Sequence, residues 1–217
     1  MHSQRHRIAF GIALSLAAIV AAGGPPRAAA QRDLDARVQK FLDATQHQWR
    51  DLNVPAVDGR TLHEIIVQHK YTRALEIGTS TGHSGIWIAW ALSKTGGKLI
   101  TVEIDERRHR QAVANFEAAG LSAFIDARLG DAHEIVPALP GPFDFVFSDA
   151  DKGWYKNYFD AVLPKLVVGG CYATHNVSRR RWGRGDDYLE YLLSLPNMET
   201  SLDDRGAGMA ISFKRAK

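Results

Sequence analysis

The chain carries a single cysteine, Cys171, in 217 residues, so no internal disulfide can form. A domain of this length buries enough apolar surface to stand without a disulfide or a structural metal. Cys171 follows Gly169-Gly170 in an apolar run, which reads as a buried structural thiol rather than a nucleophile. A strong excess of one charge is also missing: 27 Lys and Arg stand against 24 Asp and Glu, a net charge of +3. Several positives sit in the N-terminal leader or in one run, Arg179 to Arg184. Nothing in that balance calls for a nucleic-acid partner. Repeats and low-complexity tracts are absent beyond the leader, and the length suits one α/β domain with appendages.

The leader is the first segment with a pattern of its own. Arg5 and Arg7 precede an uncharged, largely apolar run from Ile8 to Ala22, Gly23-Gly24-Pro25-Pro26 breaks it, and Ala28-Ala29-Ala30 offers small residues for cleavage. This is the layout of a signal peptide cleaved after Ala30, or of an uncleaved membrane anchor over residues 1–30. In both readings the basic flank stays inside and the folded domain, 31–217, is exported to a periplasmic or secreted location. Only the uncleaved form touches a membrane.

The remaining chain is organised around Ala74 to Ala91. A short apolar run ends in an acid, Glu76, passes through Gly78, Gly82 and Gly85, and resumes apolar residues at helical spacing from Ile86. That order predicts a buried strand, a glycine turn and a helix. Such a turn leaves backbone N–H groups at a helix N-terminus and lets a ligand approach the main chain, which is a nucleotide-type site. The dinucleotide fingerprint needs G-x-G-x-x-G, whereas these glycines run G-x-x-x-G-x-x-G with Glu76 two residues ahead. A carboxylate at the turn repels a pyrophosphate and suits an ammonium. The E-x-G-x-x-x-G pattern resembles motif I of class I methyltransferases, which bind S-adenosylmethionine.

The other elements follow from periodicity and turn residues. Helices are predicted over Asp33 to Leu52, Thr61 to Lys70 (introduced by Asp58-Gly59), Ser84 to Ser93, Glu106 to Ala119, from near His133, Tyr155 to Leu166, and Asp187 to Leu195. Strands are predicted at the start of the organising stretch, over Lys98 to Glu103, Ala127 to Leu129, Phe143 to Ser148, and Cys171 to Thr174 after a Gly169-Gly170 turn. A C-terminal hairpin, Met198 to Leu202 and Met209 to Phe213, completes them. The fold class is α/β: a Rossmann-like, doubly wound, seven-stranded sheet, mostly parallel with an antiparallel C-terminal hairpin strand. Glu103 ends the second strand, where one carboxylate can accept from both hydroxyls of a ribose. Asp131 reads equally as a group reaching an adenine edge or as a helix cap. Asp149-Ala150-Asp151-Lys152 emerges at the carboxyl edge, where open parallel sheets bind ligands. The Arg179 to Arg184 run reads as a gate for an anionic substrate or as a solvated loop.

Taken together, Glu76-Ile-Gly78-Thr-Ser-Thr-Gly82-His-Ser84, Val102-Glu103-Ile-Asp, Gly130-Asp-Ala132, Phe147-Ser-Asp149-Ala-Asp151-Lys152 with Tyr155, and Gly169-Gly170 before His175-Asn176-Val177 resemble the cation-dependent O-methyltransferases of the catechol and caffeoyl-CoA type. The likeness spans about Asn53 to Phe213. It implies S-adenosylmethionine as cofactor, a small hydroxylated, catechol-like acceptor and a homodimer. It implies that Glu76, Gly78, Thr79 and Ser84 hold the methionine moiety, Glu103 the ribose, Asp131 and Ala132 the adenine side, and Asp151 the cofactor again, with Val54 touching the cofactor through its backbone. Lys152 matches the catalytic base and Asp149 a catalytic metal ligand.

One position departs from that pattern. His175 stands where the family has Asp ahead of Asn176, which turns an oxygen-rich site for magnesium into an acid, an amide and an imidazole. That set suits manganese, iron or zinc better than magnesium. The alternatives are a retained magnesium, or a lost metal site in which His175 serves as base or fills space. A non-catalytic, exported small-ligand-binding protein on a methyltransferase scaffold is the competing reading of the whole chain.

Overall fold

The computed structural model describes residues 27–50, 52–177 and 187–216. In chain order the helices and strands are α1 (Arg27–Thr45), α2 (Ala56–His69), β1 (Arg73–Ile77), α3 (His83–Thr95), β2 (Lys98–Glu103), α4 (Glu106–Ala119), β3 (Ile125–Leu129), α5 (Ala132–Ala138), β4 (Phe143–Ser148), α6 (Tyr155–Val162), β5 (Leu166–His175), α7 (Asp187–Ser194), β6 (Met198–Asp203) and β7 (Met209–Lys214). The strands form one seven-stranded sheet in the order β3-β2-β1-β4-β5-β7-β6. β1 to β5 run parallel, and β7 lies antiparallel between β5 and β6. This is the doubly wound α/β architecture with a C-terminal hairpin that the element order predicts.

Alternation along the strands divides the core between two faces. Leu75, Ile77 and Val146 pack with α5, α6 and α7 through Val136, Tyr158, Phe159 and Leu192. Ala74, Phe145, Phe147 and Ala173 pack on the opposite face with Leu62 and Ile66 of α2 and Ile88 and Leu92 of α3. α1 and α4 extend that second layer through Val38, Leu42, Ala112 and Phe116. Each fully buried Val, Leu, Ile or Phe among them contributes about 1.5–3 kcal/mol. Cys171 is buried in the second face, where burial pushes its thiol pKa well up, in keeping with a structural role.

Several boundaries differ from the sequence pattern. α2 begins at Ala56 behind Pro55, so Asp58 and Gly59 lie inside the helix and are buried. Gly59 is there for packing: a Cβ would fall 2.2 Å from the Trp87 ring. α1 ends at Thr45, whose hydroxyl bonds back to the Phe41 carbonyl at 2.7 Å, leaving Trp49 in the connection that follows. α6 stops at Val162, and Pro164 sits in a 3-10 turn leading into β5. Gly169-Gly170 lies within β5 as an irregularity in its pairing with β4, not as a turn ahead of it. Of the leader, residues 27–30 form the first turn of α1, while residues 1–26 lie outside the described residues, as does the run Arg179 to Arg184. Among the described residues no helix is long and apolar enough to cross a membrane.

Candidate active site

The strand order reverses between β1 and β4. Helices leave the two strands on opposite faces at that point, which opens a crevice at their carboxyl ends. A cleft of about 240 Å³ lies there, walled by Gly78 and Ser80 after β1, Glu103 at the end of β2, Arg108 of α4, Asp131 to His133 at the start of α5, and Asp149 to Asp151 after β4, with Tyr158 of α6. Gly78 has φ +96°, and a Cβ would fall 2.7 Å from the Asp149 carbonyl oxygen. Glycine therefore lets the ends of β1 and β4 approach and form the cleft floor.

The turn amides are mostly taken by the protein itself. Gly78 and Thr79 N–H both donate to the Val102 carbonyl, at 3.1 and 3.2 Å. Ser80 N–H donates to Glu103 Oε2 at 2.7 Å and His83 N–H to Asn53 Oδ1 at 3.3 Å. The cleft walls instead offer carboxylates. Glu103 Oε1 accepts from Asp105 N–H at 2.9 Å, so a backbone donor on each oxygen fixes that carboxylate while leaving lone pairs for a ligand. Asp131 accepts from His133 N–H at 2.8 Å as the cap of α5, and the same residue walls the cleft.

One layer beneath the floor lies Glu76, fully buried. Its Oε2 accepts from the Thr101 hydroxyl at 2.6 Å, and Thr101 is bonded in turn to the Thr79 hydroxyl. Its Oε1 has no hydrogen-bond partner. Burial pushes the Glu76 pKa up to about 7, against the pull of the Ser84 and Thr101 hydroxyls. A buried carboxylate oxygen without a donor is costly, and a ligand ammonium is the partner such a group lacks.

The structure brings Gly78, Glu103, Asp131, Ala132, Asp149 and Asp151 to the cleft wall, with Glu76, Thr79 and Ser84 buried behind it. Val54 stands apart: its carbonyl accepts from His83 Nδ1 at 2.8 Å, and it lines a neighbouring cavity with Trp49 and Trp87. Lys152 is exposed and is not among the residues walling the cleft. Two features were not anticipated. The His133 ring packs tilted against Trp154, 3.9 Å between centroids, and lies beside Asp131 and Asp151, at 3.3 and 3.6 Å; an Asp131 cap already places His133 in the first turn of α5. Asp58, read as a turn residue, reaches the end of β5.

His175 has a different partner set from that of a metal ligand. Its Nδ1 lies 3.0 Å from Asp149 Oδ2 and its Nε2 lies 2.9 Å from Asp58 Oδ2. Burial lowers its pKa, but the bonds to Asp149 and Asp58 outweigh that and raise it to about 9. A metal ligand needs an unprotonated ring nitrogen, and both are engaged. The remaining candidates are Asp149 and Asn176, the latter at φ +58° and already engaged in the structure. The set Asp149, His175 and Asn176 therefore does not fit a divalent cation, and among the described residues no group of three or more His, Cys, Asp or Glu side chains is arranged to hold one.

Residues 30–183 match the family model described as O-methyltransferase. The chain belongs to this family. Among curated relatives, a catechol O-methyltransferase of Niastella koreensis is 42% identical over 109 residues, 48% of this chain and 49% of that protein. Caffeoyl-CoA O-methyltransferase 1 of Eucalyptus globulus is 31% identical over 136 residues, 60% of this chain and 55% of that protein. The chain thus spans about half the length of the curated relatives it matches. Among solved structures, the O-methyltransferase TomG of Streptomyces achromogenes, in complex with SAM, superposes with a TM-score of 0.70 at 26% identity, covering 83% of this chain and 90% of that one. An O-methyltransferase of Bacillus cereus in complex with SAH shares the fold, with a TM-score of 0.70 at 24% identity over 86% of this chain and 97% of that one.

Proposed function

We propose that the protein transfers the methyl group of S-adenosylmethionine to a hydroxyl oxygen of a small, aromatic, catechol-like acceptor. The observation that carries this reading is the carboxylate-walled cleft at the switch point, with Glu103 fixed by two backbone donors and Glu76 left with one bare oxygen. Those acids suit a ribose diol and a cationic amino-acid moiety, whereas a pyrophosphate would meet no free turn amides at Gly78 to Ser80. The names of the relatives and the SAM-bound neighbour point the same way.

Methyl transfer from a sulfonium is an in-line displacement. The acceptor oxygen forms its bond to the methyl carbon as the carbon–sulfur bond breaks, sulfur keeps the electron pair as a neutral thioether, and the hydroxyl proton leaves to a base. The protein's task is to align the oxygen, take that proton and keep water out. Lys152, at the exposed edge beside Asp151, is the base in this reading, and Asp151 favours the sulfonium side of the cleft. The reading also carries export by the leader and a homodimer.

Isothermal titration of S-adenosylmethionine into the purified full chain tests the proposal. Saturable binding is expected, lost in Glu103→Ala. Lys152→Ala should keep that binding and lose turnover of a catechol probe. No binding by the wild-type chain, with no turnover across a panel of phenols, would favour a non-catalytic small-ligand-binding protein instead.

A further inference from the structure

The His175 ring is enclosed on every side that matters. It closes β5, is 3% exposed, and meets Asp149 through Nδ1 and Asp58 through Nε2. Each ring nitrogen is thus taken up by a carboxylate oxygen, and a ring that donates from both sides has no lone pair to offer. Asp58 is held from its other side through Oδ2 alone, its buried Oδ1 having no hydrogen-bond partner. Its Oδ2 also accepts from Ala207 N–H at 3.0 Å, and a Cβ on Gly206 would fall 1.7 Å from its Oδ1, so the turn between β6 and β7 closes directly over it. α2, the end of β4 and the end of β5 meet at this ring, and the hairpin turn closes over its partner Asp58.

We propose that His175 is a built-in replacement for the divalent cation that the family resemblance implies: the ring neutralises Asp149 and ties it to Asp58, and methyl transfer proceeds without a metal. A divalent ion recognises a catechol by binding two adjacent oxygens. A ring whose N–H groups are both spent on carboxylates cannot do so, and the requirement for a vicinal pair is lifted. A monophenol of the same size should then serve as acceptor about as well as a catechol. His175 touches no acceptor atom in this account and is a positioning residue. The proposal rests on the methyltransferase reading for its catalytic half only; the exclusion of metal from Asp149 stands on the donor geometry.

The first test is Mn²⁺ uptake by the full chain, followed by electron paramagnetic resonance of the free ion, in wild type and in His175→Asp. Wild type should leave the free-ion signal unchanged. His175→Asp gathers carboxylates at positions 58, 149 and 175 with no ring between them and should bind Mn²⁺ at least about tenfold more tightly, because ligand charge count sets affinity for such ions. Stoichiometric uptake by wild type that Asp149→Asn abolishes would overturn the proposal. Should His175→Asp not fold, nitrogen-15 NMR of the wild-type chain decides. Two slowly exchanging ring N–H protons, both absent in His175→Gln, are expected, and a single ring N–H would overturn the proposal. A titration of S-adenosylmethionine into the same wild-type sample separates the two readings. Cofactor binding with Mn²⁺ uptake sinks the replacement alone, whereas no cofactor binding with an inert Asp149 sinks the methyltransferase reading alone. On turnover, chelation by EDTA should change the wild-type rate less than twofold.

Discussion

In the proposed function, Glu76 couples cofactor binding to pH. With its pKa pushed up to about 7 by burial, the free protein carries it neutral below that value. An arriving ammonium needs the carboxylate, and so binding below pH 7 must first expel a proton. Affinity for S-adenosylmethionine should therefore weaken by about tenfold for each pH unit below 7. Above about pH 8 the cofactor's own α-amino group loses its proton and binding weakens again. Calorimetry across pH 5.5 to 9 should give an affinity maximum between about 7 and 8, with proton release on binding at pH 6.5. Glu76→Gln should bind weakly at all pH values and lose the acidic limb. A wild-type affinity that is flat from pH 5.5 to 7.5 would remove Glu76 from the ammonium site.

At the scale of elements, the turn joining β1 to α3 can be separated from ordinary left-handed glycine positions. Gly78 and Gly96 both have positive φ, +96° and +81°, but a Cβ on Gly78 meets the Asp149 backbone at 2.7 Å, while nothing lies within 4 Å of one on Gly96. Gly96→Ala should cost only the left-handed strain, about 1–2 kcal/mol, with cofactor affinity unchanged. Gly78→Ala adds a clash of backbone on backbone that can be relieved only by parting β1 from β4, so it should lose more stability and at least about tenfold in cofactor affinity. Denaturant titration and calorimetry on the two variants check this. The same turn explains what was legible in the sequence. Glu76, Gly78, Glu103 and the Asp149 to Asp151 block sit at strand ends, and strand ends are marked by local patterns of apolar runs and turn residues. Asp58 was not legible as a site residue. Locally Asp58-Gly59 is a turn signal, and only the Trp87 ring packed on Gly59 and the turn closed over Asp58 keep the pair inside α2. Nor does any local pattern join residues 58 and 175, 117 positions apart. His175 was visible as a departure from a family pattern, and its partners were not.

Across the whole molecule, the Asp58–His175–Asp149 bridge fastens α2 and the hairpin turn to the carboxyl edge of the sheet, and its energetics differ from those of the surface ion pairs. Lys156–Asp160 and Arg215–Glu199 are exposed pairs, and removing either should change stability by at most about 1 kcal/mol. His175→Ala instead leaves two carboxylates buried against each other without their shared donor, which typically costs about 3–5 kcal/mol. For a domain of this size that is a fall in Tm of roughly 6–20 °C. The contribution also has a pH window with a definite sign. The folded-state pKa of His175 is raised from 6.5 to about 9, so the proton the ring holds stabilises the fold fully below about 6.5, and that stabilisation is lost as the pH rises through about 9. Thermal unfolding of wild type should show Tm falling from pH 7 to 9.5, and His175→Gln, lower at pH 7, should approach the wild-type value at the alkaline end. Parallel wild-type and variant curves over that range would mean that the ring is not charged in the folded protein, and the bridge would then hold α2 by packing alone.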